Sequence, residues 1–460
     1  MRRGFLPLLL NYLIKTRPEP RPPDRPYKWT INTISPRLGN MYSPEEEAEL
    51  KRRNYRSIRE MIRLAYTVGF NLMDPSRCGQ VLRIWTIILS LSSLASLYGH
   101  WQMFLRYIQD IPRIVETVST ALQFLTSIAK MWYFLFAHQQ IYDLLRRARC
   151  HELLLKCELF YRMSDLPVIR TLRQQVESTM DRYWASTRRQ LLIYLYSCIC
   201  ITSNYFINSF ASNLYRYFTR PKGTYDIVLP LPSLYPAWED KGLTFPYYYI
   251  QMYLETCSLY ICGMCAVSFD GVFIVLCLHS VGLMKSLNQM IELSTSELVP
   301  PERRVEYLRC CIYQYQRVAD FAAEVNDCFR HITFSQFLLS LFGWGMALFQ
   351  MSEGFGSNSS ITMIRMTMYL IAAGYQIVVY CYNGQRFTTA SEQIGEAFYE
   401  VRWYGESREF RHLIRMMLMR TNRGFRLDVS WFMQMSLPTL MAMVRTSGQY
   451  FLLLQNVNQK

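Results

Sequence analysis

Apolar residues in this chain come in seven long blocks separated by polar stretches. They lie near residues 81–101, 113–137, 190–212, 247–281, 331–352, 361–383 and 432–456. Each reaches the roughly 20 residues that a helix needs to cross a hydrocarbon core. Several carry polar residues and would be weak signals alone, but soluble core helices do not account for seven together. The pattern predicts an all-α membrane protein of seven transmembrane helices. It divides the chain into an N-terminal segment 1–80, a helical bundle 81–383, a helical segment 384–431 and a last span with its tail, 432–460.

Charge supplies the orientation. The 460 residues carry a net charge of +15, and the polar stretches 1–80, 138–189, 282–330 and 384–431 hold 39 of the 50 Lys and Arg. The alternating stretches 102–112, 213–246, 353–360 and 457–460 hold six. Basic loops stay in the cytosol, so the N-terminus is expected to be cytosolic and the C-terminus extracellular. This sidedness also removes nucleic acid as the reason for the basic pI. Asn358-Ser359-Ser360 is the one Asn-x-Ser/Thr sequon and falls in an expected outside loop, as glycosylation at Asn358 requires. Met1–Lys15 resembles a signal peptide in its basic start and apolar run, but no small-residue cleavage site follows it. It reads as a cytosolic or interfacial segment leading into a stiff Pro-rich stretch. The outside segment 213–246, with five prolines, cannot be helical throughout and is expected to form an ordered cap over the third and fourth spans.

Chemical motifs are sparse. Cys262 and Cys265 form a CxxC inside the fourth span, without the second pair or the histidines that a zinc site needs, so small-residue packing is the better reading. The six His are scattered, and no HExxH, Gly-rich phosphate loop or Ser nucleophile elbow occurs. No catalytic residue, metal site or cofactor is expected. Asp181-Arg182-Tyr183 spells a tripeptide familiar from G-protein-coupled receptors, but it precedes the third span here, and the inferred topology is inverted for that class.

The C-terminal quarter carries a more specific signal. It contains Ser391-Glu392, the Ala397-Phe398-Tyr399-Glu400 helix ending at Trp403-Tyr404, a Met-rich amphipathic helix at 410–420, and a last span with Arg445-Thr446-Ser447 and Tyr450-Phe451. Across about 70 residues this resembles the signature region of insect odorant receptors. Gustatory receptors are the second choice, because their terminal motif is only partly matched; a G-protein-coupled chemoreceptor comes last. The resemblance implies a subunit of a ligand-gated, non-selective cation channel of four subunits, working with a shared odorant coreceptor in the plasma membrane of a sensory neuron dendrite. It also implies a cytosolic helical anchor and a re-entrant or short helix before the last, pore-lining helix. The 282–330 loop lacks the long insertion of the coreceptor, which fits an odorant-binding (tuning) subunit.

In the last span, helical spacing places Arg445, Gln449, Leu453 and Asn456 on one stripe. A polar stripe with one Leu suits a pore wall with a hydrophobic constriction that gates by dewetting. The resemblance puts the gate at Leu453. It also places a volatile small-molecule ligand in the outer half of spans two, three, four and six. The candidates there are Thr117, Ala121 and Phe124; Thr202, Tyr205, Phe206 and Ser209; Tyr248, Met252 and Tyr253; and Met366 and Tyr369. Thr202, Tyr205, Phe206 and Ser209 share a face by i, i+3, i+4, i+7 spacing. The competing reading for each is ordinary core or lipid-facing packing, and Cys198, Cys200 and Cys257 are assigned to packing. Arg402, Trp403, Tyr404 and Phe410 are the candidates for contact between subunits.

Overall fold

The computed structural model describes residues 44–72, 77–219, 229–236, 247–356, 360–430 and 433–458. Helices dominate: α1 (Pro44–Thr67), α2 (Arg77–Arg106), α3 (Ile111–Arg149), the short α4 (Glu152–Leu155) and α5 (Glu158–Arg162), then α6 (Pro167–Thr219). After these come α7 (Tyr247–Glu292), α8 (Arg304–Gly356), α9 (Ser360–Glu400), α10 (Arg408–Thr421) and α11 (Leu437–Asn458). The apolar blocks fall in α2, α3, α6, α7, α8, α9 and α11, each at least 22 residues long, except that positions 432–436 of the last block precede α11. Among the described residues, α2, α6, α7 and α8 are apolar enough to cross a membrane by composition alone. The others carry polar groups: Lys130 in α3 is buried in the protein, and α11 carries the Arg445–Gln449 stripe. The chain is an all-α membrane protein.

Several helices outrun the span they contain. α6 and α8 are both 53 residues long, about 80 Å at 1.5 Å per residue, far beyond a bilayer core of about 30 Å. Membrane and peripheral parts are therefore single rods. The division at 383/384 falls inside α9, which is continuous to Glu400. α7 is the axis of the bundle and is buried along nearly all its apolar length. It packs on α6, α9, α3 and α8. The outward faces of α2 and α6 carry Ile84, Ile88, Leu91, Ile207 and Phe218, as lipid-facing surfaces should.

The N-terminal stretch adds a helix that apolar blocks alone do not reveal. α1 is amphipathic and lays Ile58, Met61, Ile62 and Ala65 into the core against α6 and α7. Gly69 ends it in the left-handed region (φ 83°), and the Phe70 amide returns to the Ala65 carbonyl at 2.7 Å. Only part of the expected cap falls among the described residues. Residues 229–235 form a non-helical strap, while α6 stays helical to Thr219. The Leu234 amide donates to the Gly99 carbonyl at 3.0 Å, and the Leu231 amide to Glu255 at 3.0 Å. The strap thus lies against α2 and α7, and its Leu231 packs with Phe124 of α3, Tyr205 of α6 and Cys262 of α7, so it covers the third and fourth spans as expected and reaches the first as well.

α10 spans the expected amphipathic helix, with Ser407 capping its start by accepting from the Phe410 amide at 3.3 Å. Its buried face is Phe410, Ile414, Met417 and Thr421, with Leu413 packed at the edge of the core. A hairpin of β1 (Asp428–Ser430) and β2 (Met433–Gln434) then leads into α11. The Phe425 amide donates to Ser391 Oγ at 2.5 Å and the Asp428 amide to Asn326 at 2.7 Å, fixing this connection to α9 and α8. Ser391 of the signature pair is therefore a structural acceptor.

Candidate ligand site and pore helix

A cavity of about 100 Å³ lies among α3, α6, α7 and α9, with Leu231 of the strap over it. α3 contributes Thr120, Gln123 and Phe124, one helical turn of one face. α6 contributes Tyr194, Cys198, Ile201, Thr202 and Tyr205, a stripe of almost three turns. From α7 come Leu259, Cys262, Gly263 and Ala266, and from α9 Tyr369, Ala372, Ala373 and Gln376 at i, i+3, i+4, i+7. Gly263 is needed for closeness, because a Cβ there would press on Thr202 Oγ1 at 3.0 Å. The walls are aromatic and aliphatic with few polar atoms, and those are largely committed already. Thr202 donates to the Cys198 carbonyl at 2.9 Å, and Ser127 beside the wall donates to Cys262 Sγ at 3.0 Å. Such a space binds small uncharged molecules through dispersion and apolar burial.

Four of the twelve ligand candidates line this cavity: Phe124, Thr202, Tyr205 and Tyr369. Thr117, Ser209 and Met366 are buried elsewhere, and Ala121, Tyr248 and Met252 are half-buried outside it. Phe206 and Tyr253 point outward from the bundle, with Tyr253 70% exposed. The shared face on α6 is thus Cys198, Thr202 and Tyr205 running inward to Tyr194, and Phe206 falls off it. Cys198 and Cys262, assigned to packing from the sequence, are wall residues. The i, i+4, i+8 spacing of Tyr194, Cys198 and Thr202 is compatible with this face, but Phe206 fits the same spacing from Thr202, so spacing alone does not choose between them.

Directly beneath the cavity is a buried charged cluster. Lys130 and Asp270, 2% and 1% exposed, form an ion pair in which Nζ donates to both carboxylate oxygens, at 2.7 and 2.9 Å. The hydroxyls of Tyr194 and Tyr380 each donate to Asp270 at 2.6 Å, and Gln376 Nε2 donates at 2.5 Å. Gln336 of α8 donates to Gln376 Oε1 at 3.1 Å. A buried ion pair is tolerated when its charges are hydrogen-bonded, and here both Asp270 oxygens have donors beyond Lys130. Among the described residues no group of three or more His, Cys, Asp and Glu is placed to hold a metal ion.

α11 packs on α8 and α9 through Met443 and Ser447, and Gly345 of α8 gives Tyr450 room to approach. Arg445, Gln449 and Leu453 lie on the face that nothing in this chain covers, with Leu453 58% exposed. Asn456 lies in the same helix, but its side chain is outside the described residues, as is Asn358 altogether. Near the end of α9, Arg402 and Tyr404 are exposed, and Trp403 stacks on Tyr404 with centroids 4.2 Å apart. Phe410 is fully buried in its own chain, which withdraws it from the contact surface.

Known proteins resemble this architecture closely. The family described as 7tm Odorant receptor matches residues 110–448. Odorant receptor 63a of Drosophila melanogaster is 88% identical over 420 residues, covering 91% of this chain and all of that one. Odorant receptor 67b of the same species is 27% identical over 86% of this chain and 94% of its own. The structure of the insect olfactory receptor OR5 from Machilis hrabei in complex with eugenol superposes with a TM-score of 0.68 at 15% identity, covering 90% of this chain and all of that chain. The chain belongs to the insect odorant receptor family.

Proposed function

We propose that this chain is the odorant-binding subunit of a heteromeric, ligand-gated, non-selective cation channel completed by odorant coreceptor subunits in a heterotetramer. The observation that carries the reading is the pairing of an apolar cavity among α3, α6, α7 and α9 with an α11 face left bare in the single chain. A volatile, uncharged ligand fills the cavity. Opening then occurs at Leu453, with Arg445, Gln449 and Asn456 lining the wider pore. The related OR5 structure with eugenol supports a small organic ligand of this kind. Arg402, Trp403 and Tyr404 supply contact to neighbouring subunits near the cytosolic ends of the helices. The chain works in the plasma membrane of a sensory neuron dendrite with its N-terminus inside, and Asn358 is open to glycosylation outside.

Recording from cells that express this chain alone, the coreceptor alone, and both, against a broad odorant panel, tests the proposal. Large odorant currents are expected only from the pair, with a ligand profile that the coreceptor alone lacks. Robust odorant current from this chain alone would overturn the tuning-subunit reading. An N-terminal epitope tag accessible from outside unpermeabilised cells would overturn the topology.

A further inference from the structure

We propose that the Asp270 cluster is the element that transmits cavity occupancy to the pore helix, with Gln376 as its moving part; the inference rests on the ligand-gated reading above. Tyr194 and Gln376 are at once walls of the cavity and donors to Asp270. A molecule entering the cavity therefore touches the cluster without any intermediary.

The cluster has more donors than it needs. Five hydrogen bonds converge on one carboxylate, from Lys130 twice, Tyr194, Tyr380 and Gln376. A carboxylate offers about four lone-pair positions. One donor can leave without stranding the buried charge. Gln376 has somewhere to go: its Nε2 already lies 3.5 Å from Gln336 Oε1 on α8, and Gln336 donates back to its Oε1. The amide thus stands between two acceptors on two helices, Asp270 on α7 and Gln336 on α8. It donates to both at once, at 2.5 Å to Asp270 and 3.5 Å to Gln336, and the exchange lengthens the first bond and shortens the second.

Both helices that would feel the exchange reach α11. On α9, Gln376 is followed one turn later by Tyr380 and then by Gly384, where an added Cβ would collide with the Met435 carbonyl at the root of α11. On α8, Gln336 is followed by Leu341, whose carbonyl accepts from Ser447 Oγ at 3.5 Å, and by Gly345 against Tyr450. Ligand pressure that moves Gln376 from Asp270 to Gln336 shifts α9 relative to α8, and α11 is held by both.

Tyr380→Phe and Gln336→Leu separate this role from binding, because neither residue lines the cavity and neither change unpairs a buried charge. Tyr380→Phe removes a competitor for Asp270, and Gln336→Leu removes the second partner of Gln376. Both favour the resting arrangement. In cells co-expressing the coreceptor, each variant at wild-type surface level should raise the half-maximal concentration of the strongest panel odorant at least threefold. The rank order of odorants should be kept and the basal current lowered. Wild-type dose–response curves from both variants at the surface would overturn the proposal. So would loss of both from the surface, which would make the cluster a folding element. Ala373→Trp, which fills the cavity, distinguishes the two readings: a lost response there beside wild-type curves for Tyr380→Phe and Gln336→Leu removes the coupling and leaves the cavity. An intact response to Ala373→Trp at the surface removes the cavity itself.

Discussion

His151 shows how much a single residue is held by its surroundings. It joins α3 to α4 in the left-handed region (φ 49°), a conformation that His, Asn and Asp tolerate better than most residues. Its Nε2 accepts from Trp184 Nε1 at 2.7 Å, and His279 lies across from it with ring centroids 5.4 Å apart. Burial, with a smaller contribution from Arg53, pushes its pKa down to about 3. The folded state therefore keeps His151 neutral where the unfolded chain, near 6.5, takes up a proton. Its contribution to stability is complete above pH 6.5 and is lost as pH falls from there towards 3, on the order of 1 kcal/mol per pH unit. His151→Asn keeps the backbone tolerance and removes the titration. Thermal unfolding of purified protein between pH 7.5 and 5 should show a shallower acid loss in the variant than in the wild type. Equal slopes would mean that His151 does not titrate on unfolding. Cys157 nearby is similarly withdrawn from chemistry, its thiol pushed up to about 12 by burial. Residue-level legibility was uneven. The face Thr202–Tyr205 was readable from helical spacing, but the choice between Phe206 and Cys198 as the next member depends on how α6 is rotated against α7. No local pattern sets that rotation.

At the scale of elements, the two faces of α11 meet different surroundings. Met443 and Ser447 are buried against the chain, while Met441, Val444, Leu452 and Leu453 are left bare. A bare face on a span is satisfied by lipid, by another subunit or by a pore, and the Arg445–Gln449 stripe favours water for its polar part. Leu453→Ala should widen the constriction and raise basal current in the co-assembled channel. Unchanged basal current and an unchanged dose–response curve would take Leu453 out of the gate. The spans were legible because length and apolarity are local properties. The cluster beneath the cavity was not, since Lys130 and Asp270 are 140 residues apart and each alone reads as a flaw in an apolar block. α1 was missed for another reason: its apolar residues occupy only one face, so its mean hydropathy is low although its helical period is regular. The strands β1 and β2 together hold five residues, and the segment is tied to other helices through Asn326 at Asp428 and Ser391 at Phe425, so its own sequence says little.

For the whole molecule, the long rods α6, α8 and α9 join the cavity region to the peripheral helices without a break. A displacement of a few tenths of an ångström at the cavity is carried along a rod where it would be absorbed in a loop. A zero mean hydropathy and a charge of +15 describe a membrane protein with large basic peripheral helices. In the proposed function, a small molecule in the cavity among α3, α6, α7 and α9 opens the co-assembled channel. The most direct measurement is the odorant dose–response of Ala373→Leu and Ala373→Trp with the coreceptor, corrected for surface level. Graded loss is expected, with the bulkiest odorants failing first in Ala373→Leu and all odorants in Ala373→Trp, while basal current persists. Wild-type potency and maximal current in Ala373→Trp, with the variant present at the surface, would contradict it.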